Sequence, residues 1–467
     1  MESRRFDAIV IGTGQAGPSL AARLAGAGRK VCIVEREKFG GTCVNNGCTP
    51  TKTLVASAYA AHMARRASTY GIDIAGPVVA DMKRVKARKD QVVAKSSGGL
   101  EKWLRSLAGV DVVMGHARFE SPRSVAVDGQ RFEAEQIFIN VGGRSAKPEG
   151  LPAKDYLTSE TIMDVDFLPE HLVIVGGSYI GLEFGQMYRR FGSRVTIVEK
   201  APRLIAREDE DVSAAVEEIL AAEGVELRLN ANCISAARRD GGIAVSLDCT
   251  EGAPAVIGSH VLFATGRVPS TGDLGLERAG IRVDARGFIP VNDRLETEVP
   301  GIYALGDCNG RGAFTHTSYN DYEIVADNLL GNTHRKVTDR IPIYALFTDP
   351  PLGRVGLTVE QARSLGKRLL VGKRLMIHVS RAVERGESSG FMKVVVDADT
   401  RRILGAAILG VTGDEVVQSL VDAMYAGVTA DQVAHGVRIH PTVAELLPTV
   451  LGELKPDSDP HPTREAP

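Results

Sequence analysis

This sequence has few cysteines, no long apolar run and no large excess of one charge. Six cysteines in 467 residues are too few for a disulfide-stabilised scaffold. No uncharged apolar run reaches the length of a membrane-spanning helix, and Gly12 and Gly14 interrupt the N-terminal stretch that imitates a signal peptide. The net charge of -2 lacks the basic excess of a nucleic-acid-binding domain. We therefore expect a cytoplasmic globular protein with no membrane or nucleic-acid partner.

The length and the glycine content indicate several domains with close-fitting ligand sites. At about 150 residues per domain, a chain of 467 residues predicts roughly three domains. A hydrophobic fraction of 44% is enough for packed cores. The 50 glycines exceed the usual share of about 7%. Such an excess suggests that backbone approaches ligands closely.

A long-range repeat begins near the N-terminus. A β-rich run leads into a turn containing Gly12, Gly14 and Gly17, then into a helical stretch and a strand that ends at Glu35. These glycines allow the backbone to approach a pyrophosphate at a helix N-terminus, and the acid accepts from a ribose hydroxyl. The first copy therefore predicts a dinucleotide-binding unit.

The second copy of the repeat has the same order. Its turn contains Gly176 and Gly181, its final strand ends at Glu199, and the acid lies 23 positions after the first glycine in both copies. Ser178 stands where the middle glycine is expected, and its side chain predicts a looser or shifted pyrophosphate contact. Two copies in the right context are strong evidence for a dinucleotide-binding protein.

The segment after the first copy contains a pair of cysteines. Cys43 and Cys48 are separated by four residues and precede a helical run that includes Lys52. A helix N-terminus and a nearby lysine favour a thiolate, so the pair predicts a redox loop. A zinc site requires further cysteines or histidines at short spacing, and an iron-sulfur site requires a third nearby cysteine; neither follows.

Together these motifs resemble the pyridine nucleotide-disulfide oxidoreductases, which include dihydrolipoamide dehydrogenase, glutathione reductase and mercuric reductase. The resemblance extends from Phe6 to about Leu451 in the family's order. It rests on the repeat and on three further motifs: Gly40-Gly41-Thr42-Cys43-x4-Cys48-x-Pro50-x-Lys52, Tyr303-Ala304-x-Gly306-Asp307 and His440-Pro441-Thr442-x-x-Glu445. It implies an α/β fold with two Rossmann-like domains, for FAD and NAD(P), and a C-terminal α+β dimerisation domain.

The resemblance also implies a division of the chain. Residues 1–150 are expected to form the FAD-binding domain with the redox cysteines, and residues 151–270 the NAD(P)-binding domain. Residues 271–340 are expected to return to the FAD domain, and residues 341–455 to form the dimerisation domain. The four prolines and the charges of residues 456–467 predict a disordered tail.

The family's catalytic roles can be placed on individual residues. Cys48 is implied as the thiol facing the flavin and Cys43 as the thiol facing the substrate. Lys52 and Glu183 resemble the ion pair beside the flavin. His440 and Glu445 resemble the pair that acts on the other subunit's cysteines, which implies a homodimer.

The resemblance implies a set of cofactor-binding residues and no metal ligands. Gly12, Gly14, Gly17 and Glu35 would hold the adenosine end of FAD, Gly306 and Asp307 its ribityl and phosphate part, and Gly176, Gly181 and Glu199 the nicotinamide nucleotide. Tyr179 resembles the aromatic lid over the nicotinamide, and Thr42, Lys52, Gly115, Gly142 and Gly266 complete the set.

The electron donor and acceptor are less clearly indicated. Glu199 favours NADH, because a carboxylate accepts from the 2'-hydroxyl and repels a 2'-phosphate, although Lys200, Arg203 and Arg207 could serve NADPH. No cysteine follows Cys308, whereas mercuric reductases typically carry a second pair near the C-terminus. The local motifs are similar to those of the reactive-chlorine-resistance and mercuric-reductase-like group.

The sequence therefore predicts an enzyme that passes electrons from NAD(P)H through FAD to the Cys43-Cys48 disulfide and then to a disulfide or a thiol-reactive acceptor. Two alternatives within enzymes are a mercury(II) or copper(II) reductase and a quinone reductase that works directly from the flavin. An alternative of another class is an FAD-binding redox-sensing or complex-assembly subunit.

Overall fold

The computed structural model of the protein describes residues 3–148, 151–239, 241–248, 252–331 and 333–457. Within these ranges, no helix is both long and apolar enough to cross a bilayer. The chain forms two mainly parallel sheets flanked by helices and a separate antiparallel sheet near the C-terminus. This arrangement confirms the predicted α/β class with an α+β C-terminal part.

The N-terminal segment forms most of the first sheet. Its elements are β1 (Ser3–Ile11), α1 (Gly17–Gly26), β2 (Val31–Glu35), α2 (Gly41–Asn45), α3 (Cys48–Arg65), α4 (Met82–Ser106), β3 (Val110–Met114), β4 (Arg118–Ser121), β5 (Ser124–Val127), β6 (Gln130–Ile139) and β7 (Gly143–Ser145). The strand order is β3-β2-β1-β6-β5-β4, with parallel pairing from β3 to β6 and antiparallel pairing beyond.

The central strand β1 is covered on both faces, which explains its continuous apolar run. Ile9 packs in one core cluster and Val10 in another, and neither is exposed to solvent. Leu20 and Leu24 of α1 belong to the same cluster as Val10. The helix therefore lies on one face of the sheet and brings its N-terminus to the carboxyl end of β1.

The next segment forms a second parallel sheet with an antiparallel extension. Its elements are β8 (Leu157–Thr158), β9 (His171–Val175), α5 (Tyr179–Phe191), β10 (Arg194–Val198), α6 (Glu210–Ala222), β11 (Glu226–Arg228), β12 (Asn232–Arg239), β13 (Gly242–Asp248), β14 (Ala255–Gly258), β15 (His260–Phe263) and β16 (Arg267–Pro269). The parallel order is β11-β10-β9-β15-β8, and β12-β13-β14 form a three-stranded antiparallel sheet.

Two connections tie the second segment back to the first sheet. Strand β16 pairs antiparallel with β7 to make a two-stranded link. Farther along, β17 (Ile302–Ala304) pairs parallel with β6 and completes the seven-stranded sheet. Helix α7 (Thr315–Leu330) then follows. The carboxyl ends of β1, β6 and β17 thus meet at one edge.

The C-terminal part is built around an antiparallel sheet in the order β18-β19-β22-β21-β20-β23. Its elements are β18 (Ile343–Leu346), β19 (Leu352–Gly356), α8 (Val359–Ser364), β20 (Leu369–Leu375), α9 (Ser380–Glu384), β21 (Phe391–Asp397), β22 (Ile403–Leu409), α10 (Gly413–Val416), α11 (Gln418–Tyr425), α12 (Ala430–Ala434), α13 (Leu447–Gly452) and β23 (Lys455–Pro456).

The prediction of a disordered tail over residues 456–467 is wrong for its first two residues. Pro456 pairs with Leu370 across the edge of the antiparallel sheet, and the Asp457 carboxylate forms an ion pair with Arg363 at 2.5 Å. A free strand edge accepts a short extra strand even from a proline-containing segment, because an edge position does not require every N–H. Residues 458–467 lie outside the described residues.

Candidate functional site

A cavity of about 1010 Å³ opens at the carboxyl edge of the first sheet and extends toward α5 and α7. Its volume is at the upper end of the usual range for ligand sites. The predicted site residues that line it are Gly12, Gly14, Glu35, Thr42, Cys43, Cys48, Lys52, Gly115, Gly142, Tyr179, Glu183 and Asp307. The structure therefore brings twelve residues from distant parts of the chain into one site.

The first glycine turn fits its predicted use as a cofactor cradle. A Cβ atom on Gly17 would lie 2.2 Å from the Gly12 carbonyl oxygen, so only glycine lets α1 begin this close to β1. Gly17 supports the turn from behind, while Gly12 and Gly14 face the cavity. This geometry leaves bare backbone beside the N-terminus of a helix, which suits a pyrophosphate.

Glu35 lies at the cavity wall with one hydrogen-bonding position to spare. Its Oε2 accepts from the Thr13 backbone N–H at 3.0 Å and from the Thr13 hydroxyl at 2.5 Å, and its Oε1 accepts from the Glu37 N–H at 2.9 Å. A carboxylate has about four acceptor positions. The fixed carboxylate can therefore accept one further donor such as a ribose hydroxyl. Gly115 donates its N–H to the Glu35 carbonyl at 2.8 Å and continues the wall.

The turn after β17 fits the role predicted for Gly306 and Asp307. The Gly306 N–H donates to Asp321 Oδ2 at 2.8 Å, and the Asn309 side chain donates to the same oxygen at 3.0 Å. These bonds hold the turn so that Asp307 faces the cavity while Gly306 lies behind it. Burial raises the pKa of Asp307, and the nearby Arg267 opposes that shift.

Arg267 is a site residue that the sequence analysis missed. It is the first residue of β16, and its side chain is 15% exposed. Its guanidinium donates to Thr42 Oγ1 at 3.1 Å and to the Gly143 carbonyl, and lies 3.7 Å from the Asp307 carboxylate. The available signal was an arginine directly after Gly266, just past a buried parallel strand.

The two predicted redox cysteines lie in two consecutive helices. Cys43 is on α2 and Cys48 is the first residue of α3, and both are free thiols that line the cavity. A hydrogen bond from Cys43, a second from Thr315 and the charge of Lys52 lower the pKa of Cys48 to about 6. The same bond to Cys48, together with burial, raises the pKa of Cys43. These environments therefore favour the proton on Cys43 and the negative charge on Cys48 in the reduced pair.

The remaining cysteines that the structure describes are inert by the same criteria. Cys32 and Cys308 are fully buried, and burial raises the pKa of each thiol to about 12. Apolar burial disfavours a thiolate, and only the thiolate is a nucleophile. The side chains of Cys233 and Cys249 lie outside the described part of the chain. The contrast supports a reactive role for Cys43 and Cys48 alone among the described cysteines.

Lys52 and Glu183 form the predicted ion pair. The Lys52 ammonium is 2.8 Å from Glu183 Oε2, and the glutamate side chain is 3% exposed. The other carboxylate oxygen accepts from the Phe347 N–H at 3.1 Å, and the ammonium lies 4.3 Å from the centre of the Phe347 ring. The pair is therefore held by the start of α3, by α5 and by the C-terminal part, at the cavity wall.

The second glycine turn lies outside the cavity and repeats the geometry of the first. A Cβ atom on Gly181 would lie 1.9 Å from the Gly176 carbonyl oxygen. Ser178 adopts an extended backbone conformation just before α5 and is exposed. Helix α5 therefore approaches β9 closely even though serine occupies position 178. The effect of Ser178 on pyrophosphate binding remains a prediction.

Glu199 is placed at the end of β10 as predicted. Its carboxylate accepts from the Gly177 N–H at 2.5 Å and from the Ala201 N–H at 2.8 Å, one bond to each oxygen. Two acceptor positions remain for ribose hydroxyls. Arg203 donates instead to the Ala206 and Glu208 carbonyls, each at 3.3 Å. Arg203, one of the three basic residues that follow Glu199, is thus engaged by its own loop.

Tyr179 extends from the second glycine turn into the cavity. Its ring centroid is 5.6 Å from that of Phe314, which stacks on Tyr344 at 5.9 Å. Burial raises the pKa of the Tyr179 hydroxyl. An aromatic side chain between the second unit and the cavity suits the predicted lid. Gly142 lines the cavity, whereas Gly266 is exposed and does not.

His440 and Glu445 are brought together but not into the cavity. His440 Nδ1 lies 2.9 Å from Glu445 Oε2, and the histidine side chain is 73% exposed. Two apolar neighbours, Val437 and Ile439, are 94% and 79% exposed. Large apolar side chains at this exposure are typical of a surface that a partner covers. The pair therefore lies on a surface that is separate from the thiols of the same chain.

Comparisons with family models and with known proteins agree with this geometry. A model described as pyridine nucleotide-disulphide oxidoreductase matches residues 6–321, and one described as the dimerisation domain of the same family matches residues 343–451.

Three relatives have similar identity over nearly their full length. The chain is 35% identical over 448 residues to a dihydrolipoyl dehydrogenase of Thermus scotoductus (95% of this chain, 96% of the relative). It is 35% identical over 461 residues to the probable pyridine nucleotide-disulfide oxidoreductase RclA of Escherichia coli (97% and 100%). It is 35% identical over 451 residues to a mercuric reductase of Streptomyces lividans (95% and 94%).

A solved structure of the HOCl-induced flavoprotein disulfide reductase RclA from Escherichia coli superposes with a TM-score of 0.87. The sequences are 34% identical, and the match covers 96% of this chain and 99% of that chain. A copper(II) complex of the same protein gives the same TM-score, identity and coverage.

Proposed function

Because the chain belongs to the pyridine nucleotide-disulphide oxidoreductase family, we propose that Cys43 and Cys48 form the disulfide through which its electrons pass. The protein is an FAD-dependent enzyme that oxidises a pyridine nucleotide and reduces a disulfide or a metal ion. The observation that carries the proposal is the placement of the two free thiols and the Lys52–Glu183 ion pair at the wall of one cavity, where the pKa of Cys48 is lowered.

The residues of this chain divide the work of the reaction. FAD, when bound, takes a hydride from the pyridine nucleotide and delivers an electron pair to a neighbouring disulfide. Gly12, Gly14 and Glu35 would hold its adenosine end, and Asp307 would hold the part toward the ring. Lys52 supplies positive charge where negative charge accumulates.

Reduction of the disulfide distributes one proton and one charge. Two electrons break the S–S bond, Cys43 takes up one proton, and Cys48 remains a thiolate. Deprotonated Cys43 then attacks one sulfur of an acceptor disulfide and breaks its S–S bond, so that a mixed disulfide forms and the other acceptor sulfur leaves as a thiolate that takes up a proton. Cys48 attacks that bond, releases the reduced acceptor and restores the Cys43-Cys48 disulfide.

We propose that the proton of Cys43 is moved by His440 of the partner subunit in a homodimer. The family match over residues 343–451 supplies a dimerisation domain. The exposed Val437 and Ile439 beside His440 support a covered surface there. Glu445 orients the imidazole through the bond at 2.9 Å. We also propose a cytoplasmic location, where the described free thiols would stay reduced.

We propose that NADH is the preferred donor. Glu199 keeps two acceptor positions for ribose hydroxyls, and Arg203 is engaged by its own loop. Glu199→Ala is expected to lower kcat/KM for NADH by about tenfold through loss of a charge-assisted hydrogen bond. The ratio of kcat/KM for NADPH to kcat/KM for NADH should rise. Steady-state kinetics with both nucleotides would measure this change. Unchanged NADH kinetics would argue against the assignment.

We propose that the acceptor is copper(II) or a small disulfide rather than mercury(II). No cysteine follows Cys308 to take over a mercury ion from the redox pair, and mercury bound by two thiolates is held tightly. The test compares NADH-dependent turnover of the dimeric holoenzyme with copper(II), lipoamide, glutathione disulfide and mercury(II). Turnover with at least one of the first three acceptors is expected to exceed mercury(II) turnover by at least about tenfold. Copper reduction should use one NADH for two copper(II) ions. Fast, sustained mercury(II) turnover would contradict the proposal.

A further inference from the structure

Thr315 contacts the thiol of Cys48. Its Oγ1 is 3.2 Å from the sulfur of Cys48, although the two residues are 267 positions apart. Thr315 also lines the cavity. No sequence motif singles this threonine out, and the roles given above to Lys52 and Glu183 do not involve it. Its hydroxyl gives Cys48 a polar contact from the first residue of α7.

Two helix N-termini converge at this contact. Cys48 is the first residue of the 18-residue α3, and Thr315 is the first residue of the 16-residue α7. Each N-terminus carries partial positive charge from its unpaired N–H groups, which favours a nearby anion. The hydrogen bond between the two side chains fixes the thiol at the point where both helices act on it.

The first turn of α7 is rigidly placed. The Phe314 carbonyl accepts from the Thr317 hydroxyl at 2.8 Å, and the Phe314 N–H donates back to that hydroxyl at 3.2 Å. The Phe314 ring stacks on Tyr344, with an interplanar angle of 4°. Thr315, the next residue, therefore presents its hydroxyl in a preset position, so that little conformational freedom is lost when it donates.

We propose that Thr315 is a catalytic residue that donates its O–H to the Cys48 thiolate and stabilises the negative charge of that sulfur in the reduced pair. Its hydroxyl also favours a Cys43 thiolate, but the hydrogen bond from Cys43 to Cys48 and burial outweigh that effect. The inference rests on the proposed function of the two cysteines. When two electrons cleave the disulfide, one proton goes to Cys43 and the charge stays on Cys48. Hydrogen bonds to a charged acceptor are stronger than those to a neutral one, so the contact strengthens on reduction.

The other groups that face Cys48 do not by themselves account for the stability of its thiolate, so the Thr315 hydroxyl has a contribution to make. Cys43 donates its S–H, and the positive charge of Lys52 favours the thiolate. Burial and the negative charge of Glu183 oppose it. Tyr179, on α5, also senses the sulfur's charge. Because Lys52 is paired with Glu183 at 2.8 Å, part of its effect is cancelled, and a neutral donor gains importance.

The test measures the pKa of Cys48 directly. In a Cys43→Ser background the reduced pair has one thiol, and the thiolate beside oxidised flavin produces a long-wavelength absorbance band that is titrated against pH. Thr315→Val, which is nearly isosteric but has no hydroxyl, is expected to raise the midpoint by about one pH unit. Thr315→Ser keeps the hydroxyl and is expected to stay within a few tenths of a unit of the parent.

Two controls separate the hydrogen bond from damage to the helix end. Thr317→Val loosens the same turn but keeps the Thr315 hydroxyl, so it should shift the midpoint clearly less than Thr315→Val does. For any variant that loses FAD, the rate of Cys48 alkylation by iodoacetamide against pH reports the same pKa without flavin. An unshifted midpoint in Thr315→Val, or an equal shift in Thr317→Val, would overturn the inference about Thr315. A parent enzyme with no pH-dependent band would instead contradict the proposed role of Cys48.

Discussion

Replacing Cys48 with serine is expected to abolish the long-wavelength band of the enzyme and to reduce NADH-dependent turnover by at least about a thousandfold, since removal of a reacting nucleophile has effects of this size or larger. In the wild-type enzyme reduced by NADH, the band should grow as the pH rises through about 6, because the Cys48 thiolate forms above its pKa. Anaerobic absorbance spectroscopy and acceptor-dependent NADH oxidation measure both effects.

Cys43→Ser is the matched control for this variant. It leaves Cys48 unpaired beside the cavity, so the band is expected to remain while turnover with disulfides is lost. The FAD content of both variants should equal that of the wild type, because neither thiol belongs to the glycine turn that is proposed to hold the adenosine end. Turnover that survives in Cys48→Ser would mean that electrons pass directly from the flavin to the acceptor, and the disulfide route would be rejected.

A mixed dimer is expected to recover about half of the wild-type activity from two inactive parents. His440→Gln alone should lower disulfide turnover by about a hundredfold, the usual size of an acid–base contribution. A dimer of one Cys48→Ser chain and one His440→Gln chain contains one site with intact cysteines from one chain and an intact histidine from the other. That site works only if His440 acts across the subunit interface. Differently tagged chains, purified as the mixed dimer, allow the measurement.

The reverse outcome is equally clear. If His440 serves the cysteines of its own chain, both sites in the mixed dimer lack a group, and the activity stays at the level of the parents. His435→Gln provides a control for the loss of a nearby histidine, since His435 Nδ1 is bonded to the Asp431 carbonyl at 2.6 Å and lies outside the cavity. This variant is expected to retain the wild-type activity.

Local patterns predicted the parts of the site that are local in structure. A turn such as Gly12 to Gly17 is determined by the backbone geometry of a few residues, so its glycines and the acid that follows are visible in the sequence. The same holds for His440 and Glu445, which are five positions apart and hydrogen-bonded to each other. In these cases the spacing along the chain determines the distance in space.

Contacts that depend on the packing of distant elements could not be predicted in this way. Arg267 reaches Thr42 across 225 positions, and Thr315 reaches Cys48 across 267. No periodicity connects such residues, because their meeting depends on the return of β16 and α7 to the first sheet. Pro456 was misjudged for the same reason: its composition suggests disorder, whereas a strand edge far away in the sequence supplies its partner.

The two-stranded link between β7 and β16 limits how this enzyme can be recombined with its relatives. Arg267 lies near the end of residues 151–270, the predicted NAD(P)-binding segment, yet three of the groups that it contacts, Thr42, Gly143 and Asp307, belong to the predicted FAD-binding segments. The two halves are therefore not interchangeable modules. A chimaera that takes residues 151–270 from another protein would leave the half-buried Asp307 carboxylate without the Arg267 cation, 3.7 Å away, unless the incoming segment has an arginine at this position.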